Sequence, residues 1–309
     1  MDVLSVSGLT KHYDGYTAVD HISFSIKRGE IVGLLGPNGA GKTTTIQMLL
    51  GLTLPNDGEI LYFGKNFLEN REQSLSRMNF ASSYSAVQGR MTVYQNLRIY
   101  AGLYGVKETE KVIRQLLELM DIVSIKDQVF WKLSSGQKTR VILAKAFINN
   151  PELLLMDEPT ASLDPEIAEK VIEILLELRR SQGVSILYTS HDMEEVEALC
   201  DRVIFLDHGK ILAEDTPLGF TKRIGDCTLI VTFDGEQKTV VSHVKSKKYA
   251  YKFPRDEVIE VSLPENDIPA LLFDLGKKKI WITNIDVKKP RLEDVFLQIA
   301  KGQYEHREN

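Results

Sequence analysis

Eight consecutive residues constrain this chain more than any others: Gly36-Pro37-Asn38-Gly39-Ala40-Gly41-Lys42-Thr43, which satisfy the pattern G-x-x-x-x-G-K-[ST]. Such a pattern carries weight only between a strand and a helix. Residues 31–35 read as a buried strand, and 43–50 can continue as a helix. In that setting the glycines let backbone N–H groups turn inward around phosphate oxygens, and the helix N-terminus adds partial positive charge. Lys42 is then placed to reach the β- and γ-phosphates of a nucleotide, with Thr44 following in the first turn. The Thr43 hydroxyl is placed to sit on Mg²⁺.

The rest of the N-terminal two thirds supports the same class. Residues 30–35, 153–156 and 184–188 are apolar runs of strand length, each followed by turn chemistry and a helix, as in βαβ units with a mostly parallel sheet. The helical period is clearest over 165–180, where Ile167, Val171, Ile174, Leu175 and Leu178 recur at spacings of three and four. Asp164 stands where an N-cap belongs, and Pro165 fits the first turn. The run 153–156 ends in Asp157-Glu158. In a doubly wound sheet, ligands lie outside the carboxyl ends of the strands. Asp157 is thereby placed to share a Mg²⁺ shell with Thr43, and Glu158 to face the attacking water as base or orienter.

After Phe220 the pattern changes. Residues 228–233 alternate like a half-buried strand, Asp234-Gly235 signals a hairpin, and 258–263 and 280–287 read as strands. Short helices are expected over 268–275 and 292–300. The fold class expected is α/β, a P-loop NTPase mixed sheet over residues 1–218 with a helical insert at 84–132, followed by a small α+β domain over 219–309.

Composition narrows the partners. The chain carries 38 Lys and Arg against 43 Asp and Glu, a net charge of −5, and so lacks the basic excess of a nucleic-acid binder. No nucleic-acid partner is expected. The longest uncharged stretch beside an apolar run, 43–56, has 14 residues, short of the roughly 20 that a membrane-spanning helix needs. Near the N-terminus Asp2 precedes no apolar run, so a signal peptide is not expected. Cys200 and Cys227 give no metal-ligand spacing and suit a reduced compartment. If the chain works at a membrane, another chain must cross it.

Kinases and GTPases share the features so far. Leu133-Ser134-Ser135-Gly136-Gln137 narrows the field, because it precedes a helical run containing Val141, Leu143, Ala144 and Phe147. Ser134 at a helix N-terminus offers a hydroxyl and free N–H groups to an anion, and Gly136 permits close approach. Taken alone, Ser134 is as well read as a simple N-cap. Taken with the phosphate loop and the run ending in Asp157-Glu158, the segment resembles the signature motif of ATP-binding cassette (ABC) ATPases. Residues from about 4 to 217 are similar to that family.

The resemblance implies ATP and Mg²⁺ as ligands. It implies that Ser134, Ser135, Gly136 and Gln137 face the γ-phosphate held by a second, head-to-tail copy, with two ATPs sandwiched between the copies. Tyr13 resembles the aromatic that stacks on adenine, a core position being the alternative. Asp164, in Ser162-Leu163-Asp164, resembles the loop that communicates between the two sites, as well as a helix cap. His191, beyond the strand run 185–188, matches the switch histidine that contacts the γ-phosphate. One position departs from the pattern: Ser83 stands where the family usually has a glutamine of the Mg²⁺ shell, about eight residues before Met91-Thr92-Val93, with Gln88 nearest. That departure bears on coupling to membrane subunits more than on ATP binding. Ser135, where glycine is commoner, is a milder change.

The ending Lys289-Pro290-Arg291-Leu292-Glu293-Asp294-Val295-Phe296 resembles the close of ATPase subunits of daunorubicin-type exporters. The same segment reads as an amphipathic helix packing Leu292, Val295, Phe296 and Ile299 onto the small domain. The expected function is the ATP-hydrolysing motor subunit of an exporter, with Lys42, Glu158 and His191 in catalysis. It would act as a dimer on a separate multi-span permease at the inner face of the cell membrane. Tyr84, Tyr94, Tyr100 and Trp131 of the insert either meet that partner or fill the insert's own core. The lysines of 245–248 and 277–279 read as solvated surface or as contacts to anionic headgroups. Two other classes stay open. One is a soluble ABC protein on ribosomes or DNA, against which stand a single phosphate loop, a single signature and no long heptad insert. The other is a low-turnover nucleotide-sensing module, suggested by Ser83.

Overall fold

The computed structural model describes residues 2–82, 87–161, 163–224 and 226–300. Ser83, Tyr84 and Ser162 lie outside the described residues, as does the side chain of Ile299. The chain divides into two compact units, Met1–Pro217 and Leu218–Asn309.

The first unit runs β1 (Asp2–Tyr13), β2 (Tyr16–Lys27), β3 (Ile31–Leu35), α1 (Lys42–Leu49), β4 (Asp57–Tyr62), β5 (Lys65–Asn66), α2 (Arg71–Ser76) and β6 (Met78–Ser82). It continues with α3 (Val93–Leu103), α4 (Thr109–Leu119), α5 (Ser135–Ala146), β7 (Leu153–Asp157), α6 (Pro165–Gln182), β8 (Ser185–Thr189), α7 (Met193–Leu199), β9 (Arg202–Asp207) and β10 (Lys210–Asp215). Six of the strands form one sheet in the order β10-β9-β3-β8-β7-β6, parallel except for the β10–β9 pair. Every residue of β3 and β8 is buried, and β7 is buried up to its final Asp157, as a parallel sheet covered on both faces requires.

A second, antiparallel sheet, β2-β1-β4-β5, packs against it. Leu4, Val6, Leu9, Ile22, Phe24 and Ile26 share one core with Val32, Leu34, Leu153, Leu155, Leu187 and Ile204. No sequence pattern announces this second sheet, because register shifts between Val6 and Leu9 and between Leu9 and Lys11 break the two-residue alternation.

Residues 93–119 are largely helical, in α3 and α4. Thr92 caps α3 in a reciprocal capping box with Gln95. Tyr94 donates its hydroxyl to Glu110 at 2.6 Å, tying α3 to α4, and Tyr100 lies under the Lys145 ammonium, 5.3 Å from its ring centre. Trp131 is 63% exposed. Lys145 donates to Asn79 Oδ1 at 3.2 Å and to the Phe80 carbonyl at 3.0 Å, and burial pushes its ammonium pKa down to about 8.

After α8 (Pro217–Ile224), the second unit runs β11 (Asp226–Asp234), α9 (Gln237–Ser246), β12 (Ala250–Arg255), β13 (Val258–Pro264), α10 (Ile268–Lys277), β14 (Trp281–Lys288) and α11 (Leu292–Ala300). The strand order β12-β13-β11-β14, antiparallel throughout, is the split βαββαβ topology of ferredoxin-like folds. Its core joins Leu229, Val231, Phe233, Val240, Val244, Ile259, Val261, Leu263, Leu271 and Leu275.

One expectation is corrected here: Asp234-Gly235 makes no hairpin but leads into α9. Val240, His243 and Val244, buried at helical spacing, set that helix. β11 therefore pairs with the later strands β13 and β14. Among the described residues no helix is long and apolar enough to cross a membrane.

Candidate active site

The phosphate loop leaves the sheet at the end of β3, an inner strand between β9 and β8. Two of its glycines are required by close approach. A Cβ on Gly36 would lie 2.1 Å from the Leu206 carbonyl oxygen, and one on Gly41, at φ 106°, would lie 2.5 Å from that of Ala18. The Ala40 N–H donates to the Pro37 carbonyl at 3.1 Å, and the Gly209 N–H donates to the Ala40 carbonyl at 3.0 Å. Tyr16 donates its hydroxyl to the Gly39 carbonyl at 3.2 Å. The N-cap of α1 is Gly41, which has no side chain to accept from the first-turn N–H groups. Those donors point at whatever anion the loop receives.

Lys42 is buried, and its Nζ donates to the carbonyls of Gly36 and Pro37 at 2.5 and 3.1 Å. Burial lowers its pKa, and the charges of Glu158 and Asp157 oppose that shift. Pro37 and Thr44 are half-buried, whereas Asn38, Gly39 and Thr43 are exposed. Residues 38–44 line a cleft of about 290 Å³ together with Tyr13, Tyr16, Ala18 and Glu158. Tyr13, 46% exposed at the end of β1, presents its ring there rather than to the core.

The acids come from β7, and β8 holds them. Asp157 ends β7 and pairs with Thr189 of β8. Its Oδ1 accepts from the Thr189 hydroxyl at 2.8 Å. Glu158 follows in the left-handed region at φ 49°, a strained conformation for a side chain of this kind. Its N–H donates to both the carbonyl and the hydroxyl of Thr189, each at 3.1 Å. Its Oε1 lies 2.5 Å from Nε2 of His191, which is half exposed. The structure thus gathers Lys42, Glu158, residues 38–44 and Tyr13 around one opening, with His191 in contact with Glu158 and Asp157 next to it at the end of β7.

The signature residues are not part of that cleft. Ser134 caps α5 in a reciprocal capping box: Gln137 N–H donates to the Ser134 hydroxyl at 3.3 Å, and Ser134 N–H to Gln137 Oε1 at 3.0 Å. Ser134 and Ser135 are exposed. A Cβ on Gly136 would lie 3.1 Å from Ile167 of α6, so its small size serves helix packing. Asp164 occupies the N-cap position of α6, but its carboxylate makes no cap hydrogen bond, which corrects the simple capping role. Pro165 at N1 has no N–H, and the Asp164 carbonyl takes the first helical bonds from Ile167 and Ala168.

Two contributors went unread in the sequence. Tyr16 faces Tyr13 across the β1–β2 turn, and Thr189 fastens both acids. For Thr189 the signal was available, as the first polar residue after a buried run beside the run that ends in Asp157.

The family described as ABC transporter matches residues 19–161. The chain is 32% identical over 306 residues to the linearmycin resistance ATP-binding protein LnrL of Bacillus subtilis, covering 96% of this chain and 98% of that one. It is 32% identical over 304 residues to the Nod factor export ATP-binding protein I of Rhizobium sp., covering 98% of each. Among solved structures it is similar to cbiO1 from Clostridium perfringens, part of the ABC transporter complex cbiONQ. The TM-score is 0.65 at 30% identity, over 72% of this chain and 90% of that one.

Proposed function

The chain belongs to the ABC transporter family as an ATP-binding, ATP-hydrolysing subunit of exporter type, and on that premise we propose which of its residues carry the reaction. Tyr13 stacks on the base, and the N–H groups of the phosphate loop and of the first turn of α1 hold the phosphates. Lys42 turns its ammonium from the loop carbonyls to the β- and γ-phosphates. Glu158 holds the attacking water in line with the γ-phosphorus and accepts its proton as the bond to the β-phosphate breaks. His191, in contact with the same carboxylate, fixes its direction. The His191–Glu158 contact of 2.5 Å beside the phosphate loop is the observation that carries this reading.

The donors fit a Mg²⁺ ion. Thr43 offers a hydroxyl and Asp157 a carboxylate, both hard oxygens. Among the described residues no group of three or more His, Cys, Asp or Glu forms a full cage, which suits an ion that completes its shell with water and substrate phosphates. When bound, it neutralises charge on the transferring phosphate.

ATPase domains of this family work with membrane subunits and dimerise. For this chain we place the partner as a separate multi-span permease, with the chain cytoplasmic on the inner face of the membrane. Ser134, Ser135, Gly136 and Gln137 serve the ATP of a second copy. Their position outside the chain's own cleft supports that assignment.

Glu158→Gln tests the whole scheme. It should keep ATP binding and ATP-dependent dimerisation while turnover falls by about a hundredfold or more. Turnover within about threefold of the unaltered protein would overturn the role of Glu158.

A further inference from the structure

Behind the reacting face, three hydroxyls converge on one carboxylate oxygen. Oε2 of Glu195, in α7, accepts from Thr160 Oγ1, Tyr188 Oη and Ser190 Oγ, each at 2.8 Å. The three donors are almost wholly buried, at 5%, 0% and 6% exposure. They come from two segments that nothing in the local sequence holds together. Thr160 follows Glu158 by two residues, through Pro159. Ser190 immediately precedes His191. The Thr160 and Tyr188 oxygens also approach each other at 3.3 Å, so the cluster is a closed polar knot rather than three separate bonds.

We infer that Glu195 is a positioning residue for ATP hydrolysis, setting the register between the segment that carries Glu158 and the segment that carries His191. The inference rests on the proposed roles of those two residues. An ionised carboxylate oxygen accepts three hydroxyls well, and charge-assisted bonds of this kind are short and strong. Pro159 has a fixed φ, so anchoring Thr160 restricts where the backbone of Glu158 can lie. Anchoring Ser190 does the same for His191.

Thr189 faces the other side of β8 and fastens Asp157 and Glu158 there. The strained φ of Glu158 is therefore held from both sides, in the manner expected where surrounding structure over-determines a strained residue. Glu195 itself touches no part of the cleft, so it acts through the pair. At a reacting centre, displacement by about 1 Å costs on the order of a hundredfold in rate.

The test uses the full chain carrying Glu195→Ala, with Glu195→Gln as a milder variant that keeps an acceptor but loses the charge. Steady-state MgATP turnover should show kcat lower by about tenfold or more in Glu195→Ala, with KM within about threefold. Glu195→Gln should fall between it and the unaltered protein. Combining Glu195→Ala with His191→Ala should cost less than the product of the single losses, because both act on one contact.

Amide hydrogen exchange of the nucleotide-free chain gives a readout independent of turnover. Protection of 158–161 and 189–192 should fall together while the laddered amides of β3, 31–35, keep theirs. The proposal is overturned if kcat stays within about twofold in both variants, or if protection falls equally across β3 and KM rises in step. If Glu158→Gln turns over like the unaltered protein, the catalytic reading fails instead, and the exchange experiment still decides whether Glu195 holds the two segments.

Discussion

Gly36→Ala is the most direct probe of how the phosphate loop is seated. The added Cβ would lie 2.1 Å from the Leu206 carbonyl oxygen and 2.9 Å from the Ala40 Cβ, where ordinary contact begins at 3.4 Å. Leu206 belongs to β9, which is laddered on one side to β3 and on the other to β10. The carbonyl is therefore held, and the loop must retreat by about 1 Å. A shift of that size in groups that hold reacting phosphates costs on the order of a hundredfold, or ~2.7 kcal/mol, in kcat/KM. Gly64→Ala is the control: its Cβ meets nothing within 4 Å, and at φ 76° it bears only backbone strain. That variant should lose roughly 1 kcal/mol of stability and no turnover. The assay is steady-state ATP hydrolysis with nucleotide affinity measured in parallel. If Gly36→Ala keeps kcat/KM within about threefold, the close seating of the loop against β9 is not what positions the phosphates.

Two further outcomes follow from the same geometry. Lys145, whose pKa burial lowers from 10.5 to about 8, should make stability rise with pH between those values. In that window the unfolded chain still binds a proton that the folded chain has released, whereas below about pH 8 both states hold it. The gain is at most ~3 kcal/mol, less whatever solvent screening the side chain retains. The buried Tyr62 and Tyr188 hydroxyls, pushed above 10.0, act in the opposite direction above that pH. Urea midpoints read between about pH 8 and 9 should therefore climb, and Lys145→Met should make the climb shallower, leaving the part that the lowered pKa of Lys42 supplies; an unchanged slope in that variant counts against the assignment. Ser134→Ala should cost roughly 1 kcal/mol through the lost cap. It should leave nucleotide affinity within about twofold and, in a Glu158→Gln background, prevent the ATP-dependent dimer seen by sedimentation. A dimer of undiminished stability would free Ser134 from any role toward a second copy.

Legibility in the sequence followed the range of the interactions. The phosphate loop, the acids at 157 and 158 and the histidine at 191 each stand directly beyond a short buried run. Residue type and strand end together announce them; the loop and Glu158 line one cleft, His191 touches Glu158, and Asp157 precedes it at the end of β7. The parallel sheet was readable for the same reason. The antiparallel sheet was not, since its bulges hide the alternation of β1. In the second unit the pair Asp234-Gly235 carries a strong hairpin signal, yet Val240, His243 and Val244 continue as a helix and the partner strands of β11 come much later in the chain. Glu195 was invisible for a different reason: its meaning lies in hydroxyls 35, 7 and 5 residues away, a convergence that no local pattern encodes.

The strand order explains why these controls collect where they do. β8 lies between β3, which ends in the phosphate loop, and β7, which ends in the acids. Residues beyond β8 can therefore touch both edges of the reacting space without a long connection. Successive side chains there alternate in direction. Thr189 faces the acids, Tyr188 and Ser190 face the Glu195 carboxylate behind them, and His191 emerges onto Glu158. One strand end thus couples the front of the site to its support. A change anywhere along 188–191 should disturb the contact between His191 and Glu158 before it disturbs nucleotide binding, because the loop 36–43 is seated separately: the Gly209 N–H holds its Ala40 carbonyl, and Gly36 and Gly41 lie close against the Leu206 and Ala18 carbonyls.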